Sequence, residues 1–176
     1  MKLSLKSFAT ISTLSALVAA PIFLGAGSAS AQPARFDGSY VGAGVAGGVT
    51  NGGRGNDERT VGGNIQGRFA VPNAPVSVRG AVLFNGNNSA VIPTLTYDIP
   101  VSKNTNIYAG AGYSFVQHTD RTSQIGNKDA AVLSAGVESQ VAKGVVVYSD
   151  AKYGINAYQG SNAGALSLQA GVGLKF

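Results

Sequence analysis

Residues 165–176 read A-L-S-L-Q-A-G-V-G-L-K-F, and apolar residues alternate there with small or polar ones. The apolar set consists of Leu166, Leu168, Ala170, Val172, Leu174 and Phe176. Successive side chains point to opposite faces of a β-strand, so this period of two predicts a strand with one apolar face. We therefore expect the C-terminus to be part of a sheet with sharply different faces.

Seven further stretches alternate in the same way between turn-forming residues. Each is about as long as the 9–11 residues that a tilted membrane strand needs. The eight predicted strands cover residues 39–49, 60–71, 76–84, 89–101, 106–116, 130–141, 145–155 and 165–176. They predict one domain without internal repeats.

The connections differ between the two ends of these strands. Three on one side are short, at residues 72–75, 102–105 and 142–144. Most on the other side are longer and rich in Gly and Asn, at residues 50–59, 117–129 and 156–164, beside a tight turn at residues 85–88. This asymmetry is typical of transmembrane barrels. We predict an all-β, eight-stranded antiparallel up-and-down transmembrane β-barrel over residues 39–176, after a short lead-in at residues 32–38.

The strands between residues 60 and 155 carry few charged residues, and each of these lies on the polar face of its strand. They are Arg68, Arg79, Asp98, Glu138, Asp150 and Lys152. A solvated face would carry more charge, whereas an enclosed interior requires balanced charges. Counted from the short turns, Arg68, Arg79, Asp98 and Glu138 each lie three residues into their strands, so they are expected at one height. We hypothesise a structural lumen charge cluster, with Arg79 beside Asp98 and Lys152 within reach of Glu138. The alternative is a wet lumen with unlinked polar side chains.

Other residues predict finer features of the barrel. Aromatic residues near the strand ends predict two girdles, one of Tyr40, Phe69, Tyr97, Tyr108 and Phe176, the other of Phe84, Phe115, Tyr153 and Tyr158. Some glycines of the first, fifth and eighth strands alternate in step with the polar residues and are expected to leave room for large lumen side chains such as Tyr148. They are Gly42, Gly44, Gly110, Gly112, Gly171 and Gly173. Pro93 lacks a ladder donor within the fourth strand, which predicts a bulge or local irregularity.

Residues 1–31 have the form of a cleaved secretory signal peptide. Lys2 and Lys6 precede an apolar stretch at residues 8–24, and small residues follow up to Ala31. The alternative is a membrane anchor, but the apolar stretch is shorter than the ~20 residues that cross a bilayer. The leader holds two of the thirteen basic residues and no acidic one, so the mature chain is only mildly cationic.

The composition argues against a disulfide-stabilised protein and against a nucleic-acid-binding protein. The chain contains no cysteine, so no disulfide holds the exported fold together. It also lacks a cluster of Lys and Arg interleaved with aromatic residues, which argues against a nucleic-acid partner.

Three features together are typical of one known family. They are the segment G-S-Y-V-G-A-G-V-A-G-G at residues 38–48, the eight strands and the terminal V-G-L-K-F. Over nearly its whole mature length the chain resembles the small eight-stranded OmpA/OmpX-type outer-membrane barrels of Gram-negative bacteria. The resemblance implies integral localisation among outer-membrane lipid. It also implies that Val172, Leu174 and Phe176 form the C-terminal signal read by the barrel assembly machinery. The even strand number predicts periplasmic termini.

Three functions remain open at this point. The leading one is a structural or surface-interaction protein, whose extracellular partner the loops do not specify. The second is a narrow porin-like channel, although side chains just fill a barrel of about eight strands. The third is a lipid A-modifying enzyme, in which His118 would act with Ser114 or Ser123 and Asp120.

No metal or dinucleotide motif is present, so no cofactor is expected. A soluble ligand carrier with an apolar interior is the alternative fold.

Overall fold

The computed structural model describes residues 36–50, 60–86 and 88–176. The predicted signal peptide, most of the lead-in and residues 51–59 of the first long loop lie outside these residues. Within them the strands are β1 Tyr40–Gly48, β2 Val61–Ala70, β3 Val76–Phe84, β4 Ser89–Ser102, β5 Thr105–Val116, β6 Ala130–Ala142, β7 Val145–Gly154 and β8 Ala165–Lys175. The described residues contain no helix that is long and apolar enough to cross a membrane.

Each strand pairs antiparallel with the next one, and β8 pairs with β1, so the sheet closes into a barrel. The predicted all-β, eight-stranded antiparallel architecture is confirmed. Every strand begins and ends within one residue of its predicted boundaries. Short turns join β2 to β3, β4 to β5 and β6 to β7, and we call that end of the barrel the short-turn end. The opposite end is the loop end.

The outer wall is apolar and the lumen is mostly polar. Val61 is 65% exposed and Phe69 is 59% exposed on the outside of β2, whereas Gln66 and Arg68 between them are buried. The same alternation continues around the barrel because the side chains of each strand point in and out by turns. This arrangement is opposite to the apolar interior of a soluble ligand carrier, so that alternative is wrong.

The aromatic girdles are smaller than the sequence predicts. Phe69, Tyr97 and Phe176 are exposed at the short-turn end, and Phe84, Phe115 and Tyr153 at the loop end. Tyr40, Tyr108 and Tyr158 are buried instead. Tyr40 and Tyr108 have the inward parity, so their hydroxyl groups bond to lumen carboxylates.

Pro93 does not produce a bulge. Val91 pairs with Phe115 and Thr94 with Gly112, so the register between β4 and β5 is the same on both sides of the proline. The register shifts instead between Pro100 and Ser102, next to the short turn. The ladder between β4 and β5 is interrupted at Ile92 and Pro93, which is a local irregularity as predicted, but neither strand is displaced.

Candidate functional site: the filled lumen

Four buried charged side chains form a ring near the short-turn end, which we call the ion cluster. Its members are Arg68 of β2, Arg79 of β3, Asp98 of β4 and Glu138 of β6. Asp98 lies 2.7 Å from Arg68 and 3.0 Å from Arg79. Glu138 lies 3.2 Å from Arg68 and 2.8 Å from Arg79. Each arginine therefore bridges both carboxylates, which ties together strands that are not neighbours.

Neutral side chains satisfy the remaining donors and acceptors of the ion cluster. The hydroxyl of Ser77 donates to Asp98 and accepts from Arg68. The hydroxyl of Tyr40 donates to Glu138 over 3.0 Å, and Arg79 Nε donates to Thr96 over 3.0 Å. A buried ion pair is favourable only when such additional bonds are made. The two positive and two negative charges also balance.

Lys152 does not reach Glu138, contrary to the sequence-based hypothesis. Its ammonium group lies 2.7 Å from Asp150, which is two residues away on the same strand and the same face. It also donates to Gln66 over 3.3 Å. Side chains two residues apart in a strand point the same way, so this nearby carboxylate is the easier partner. Arg79 does lie beside Asp98.

Large lumen side chains are accommodated by glycines on neighbouring strands. A Cβ atom on Gly171 of β8 would lie 2.3 Å from the hydroxyl oxygen of Tyr148, and one on Gly136 would lie 2.6 Å from that of Tyr108. Both distances are well below van der Waals contact. Gly171 was among the glycines predicted to make room for large side chains, whereas Gly136 was not.

The short-turn end of the lumen is closed by Phe36, which sequence reasoning missed. This side chain is 2% exposed and packs with Tyr40, Val146 and Tyr148. The guanidinium carbon of Arg68 lies 5.2 Å from the centre of its ring. Phe36 precedes the first strand and belongs to no alternating pattern, so the sequence carried no signal for its position.

The loop end of the lumen is closed by the connection between β5 and β6. Ile125 is fully buried against inward-facing apolar side chains. These are Ala46, Ala81, Leu83, Ala90, Ile92 and Val132. Backbone bonds between Ser123 and Gly126 shape the tight turn that presents Ile125, and Gln124 donates to the carbonyl of Phe84 over 2.9 Å. The lumen thus has a charged half and an apolar half.

The residues considered for lipid A chemistry are not assembled into a catalytic group. His118 is exposed, whereas Ser114 is buried and its hydroxyl has no hydrogen-bond partner among the described residues. The hydroxyl of Ser123 donates to the carbonyl of Gly126 over 2.6 Å. Asp120 lies 3.7 Å from Arg121 on the surface. Neither serine is therefore hydrogen-bonded to the imidazole that would have to activate it.

The three residues of the expected C-terminal signal lie on the outer wall. Val172 and Leu174 are exposed on β8, and Phe176 is 71% exposed just beyond it. The ring of Phe176 contacts that of Phe69 edge-on, with 5.9 Å between the ring centres. The described residues contain no group of three or more His, Cys, Asp or Glu side chains placed to hold a metal ion.

An apolar outer wall around a neutralised polar filling defines the class of integral membrane β-barrels. The family model for the outer membrane protein beta-barrel domain matches residues 19–176. The chain belongs to this family, and it is an integral outer-membrane β-barrel. A comparison with curated proteins finds no significant match.

Solved structures share the fold at low sequence identity. Ail, the attachment invasion locus protein of Yersinia pestis, is 17% identical with a TM-score of 0.52 over 80% of this chain and 100% of its own. Neisserial surface protein A is 16% identical with a TM-score of 0.58 over 78% of this chain and 97% of its own. A de novo designed transmembrane β-barrel is also 16% identical, with a TM-score of 0.53 over 81% of this chain and 98% of its own.

Proposed function

We propose that the protein is a structural and surface-interaction component of the Gram-negative outer membrane and neither a channel nor an enzyme. In this role the barrel is a rigid anchor in outer-membrane lipid. The loop end faces the medium and presents the connections at residues 117–129 and 155–164, and both termini are periplasmic.

The filling of the lumen is the observation that carries this proposal. The ion cluster occupies the charged half, Phe36 covers the short-turn end, and Ile125 fills the apolar half. A solute crossing the barrel would have to displace buried ion pairs and apolar side chains together. Breaking a buried ion pair is expensive, about 3–5 kcal/mol when one partner is lost.

Two structural relatives support a role at the cell surface. One is named an attachment invasion locus protein and the other a surface protein. A structure of the first contains the heparin analogue sucrose octasulfate. The loops described here carry both signs of charge, for example Asp120 and Arg121, which lie 3.7 Å apart. They therefore present no purely cationic surface, and we assign them no specific ligand.

Conductance in planar lipid bilayers tests the anchor against the channel. We expect the purified mature protein to insert without steady conductance steps, while an open porin in the same bilayers conducts. Steady steps would overturn the anchor role in favour of a narrow channel. A changed lipid A acylation pattern in a deletion strain would instead favour an enzyme.

Single cysteines test the orientation, because the chain has none of its own. Asn162 is exposed at the loop end, and Asn104 is exposed in the short turn between β4 and β5. We expect a membrane-impermeant maleimide to label Asn162→Cys on intact cells and to label Asn104→Cys only after the outer membrane is permeabilised. The reverse pattern would show that the short-turn end faces outward.

The exposed C-terminal residues are proposed to engage the barrel assembly machinery. Phe176→Ala should reduce the amount of heat-modifiable barrel in the outer-membrane fraction. Tyr97→Ala is the matched control, since Tyr97 is also an exposed aromatic near the short-turn end. Equal losses in both variants would indicate a general need for aromatic residues there and would remove the assignment to Phe176.

A further inference from the structure

We propose that the short-turn mouth of the barrel is a binding site for residues 36–38 of the same chain. These residues act as a stopper that can leave the mouth, and the side chain of Phe36 is the part that excludes dissolved molecules from this end of the lumen.

The ring of Phe36 occupies a specific pocket. It packs with Tyr40, Val146 and Tyr148, which are all buried. Two cations approach it: the guanidinium carbon of Arg68 lies 5.2 Å and the ammonium nitrogen of Lys175 lies 5.5 Å from the ring centre. Both distances are within the range of cation–π attraction. An aromatic ring therefore fits this mouth better than an aliphatic side chain would.

The main chain of the stopper is also bound. The carbonyl of Phe36 accepts hydrogen bonds from Asn106 Nδ2 over 2.9 Å and from Arg68 Nη1 over 3.3 Å. The carbonyl of Gly38 accepts a second bond from Arg68 Nη1 over 2.7 Å. Arg68 belongs to β2 and Asn106 to β5, so the stopper is held from two separate strands.

Residues 36–38 are not part of the sheet. They lie before β1, and the contacts described above are made by side chains and not by a strand ladder. Segments without ladder bonds open at lower free energy than strands do. The stopper is therefore able to leave while the barrel stays closed. When the stopper leaves, Arg68 loses two hydrogen-bond acceptors, the carbonyls of Phe36 and Gly38. This couples the stopper to the ion cluster.

A single cysteine beneath the stopper tests this arrangement in the full mature chain. Val146 is fully buried and packs against Phe36, so Val146→Cys places a thiol of similar size under the ring. Its reaction with a charged, water-soluble methanethiosulfonate is measured in the presence of Phe36, after Phe36→Ala and after Phe69→Ala. Phe69 is an exposed phenylalanine on the outside of β2 and serves as the matched control.

We expect the thiol to be protected when Phe36 is present and in the Phe69→Ala control. Phe36→Ala should raise the modification rate by about tenfold or more, which corresponds to about 1.4 kcal/mol of lost protection. Heat-modifiable gel mobility verifies that each variant is a folded barrel. Modification as fast with Phe36 in place as in the Phe36→Ala variant would show that Phe36 does not protect the mouth. Persistent protection after Phe36→Ala would show that another group closes it, and either result overturns the proposal.

Discussion

The guanidinium carbon of Arg79 lies 3.6 Å from the centre of the Tyr108 ring. The hydroxyl of the same tyrosine donates to Asp150 over 2.9 Å, and Asp150 in turn pairs with Lys152. Tyr108 thus connects the ion cluster to the second charged pair of the lumen. No strand alternation could reveal this link, because it depends on which inward side chains meet across the barrel.

Tyr108 allows the two contacts to be separated. Tyr108→Phe keeps the ring and removes the bond to Asp150, so the free energy of unfolding should fall by about 1.5–3 kcal/mol, typical of bonds to charged groups. Tyr108→Leu also removes the cation–π contact and should lower it by about 2 kcal/mol more. Urea unfolding in lipid vesicles measures both values. Equal losses would mean that the ring contact with Arg79 contributes nothing.

Arg79→Leu tests the ion cluster as a whole. It leaves Asp98 and Glu138 with one arginine between them, so we expect a loss of about 3–5 kcal/mol in the free energy of unfolding. Arg121→Leu removes a charge from a surface loop and should change it by less than about 0.5 kcal/mol. Thermal unfolding in detergent ranks the variants. An Arg79→Leu protein as stable as the Arg121→Leu protein would mean that the cluster is not stabilising.

Two positions on the outside of β2 test contact with lipid. Ile65 lies near the middle of the strand, and Val61 is its first residue at the loop end. An arginine at the bilayer midplane destabilises a barrel by about 2–4 kcal/mol, and one near the interface by about 0–1 kcal/mol. Ile65→Arg should therefore be more harmful than Val61→Arg in vesicle unfolding. Equal effects would argue against a membrane that covers this wall.

Two glycines test the packing around Tyr148. A Cβ atom on Gly171 would lie 2.3 Å from the tyrosine hydroxyl, whereas one on Gly80 would have no atom within 4 Å. Gly171→Ala should lower the free energy of unfolding by about 1–3 kcal/mol through overpacking. Gly80→Ala should leave it unchanged or raise it slightly, because alanine has less chain entropy to lose. The opposite order would show that Tyr148 moves aside freely.

Ile125→Ala tests the closure of the loop end. Loss of this buried side chain should release the connection between β5 and β6. Trypsin should then cleave after Arg121 or Lys128 at least about tenfold faster, which corresponds to about 1.4 kcal/mol less free energy holding the connection in place. Thr119→Ala changes an exposed residue of the same connection and should leave the rate unaltered. An unchanged rate in Ile125→Ala would mean that other contacts hold the loop.

The strands and the facing of their side chains could be predicted because both follow from a period of two. Arg68, Arg79, Asp98 and Glu138 were placed at one height by counting from the short turns, and the structure brings them together. The predicted partner of Lys152 was wrong because Glu138 was preferred to Asp150, which lies two residues away on the same face of the same strand.

The seals at the two ends of the lumen were beyond sequence reasoning. Phe36 and Ile125 lie in irregular segments, where no period relates a residue to its direction. The apolar half of the lumen was missed for a related reason. Leu83 and Ile92 share the inward parity of the polar side chains, so the alternation gives their direction, but it does not show that inward apolar side chains gather at one end of the lumen.

The ladder between β1 and β8 joins the beginning of the barrel to its end, from Tyr40 with Lys175 to Gly48 with Ser167. This seam can close only after all eight strands have been synthesised. A chain that lacks β8 would keep two unpaired strand edges, which are templates for aggregation. Pairing of β8 with both β7 and β1 is therefore the step that closes the barrel, and until then the open strand edges need protection from other chains.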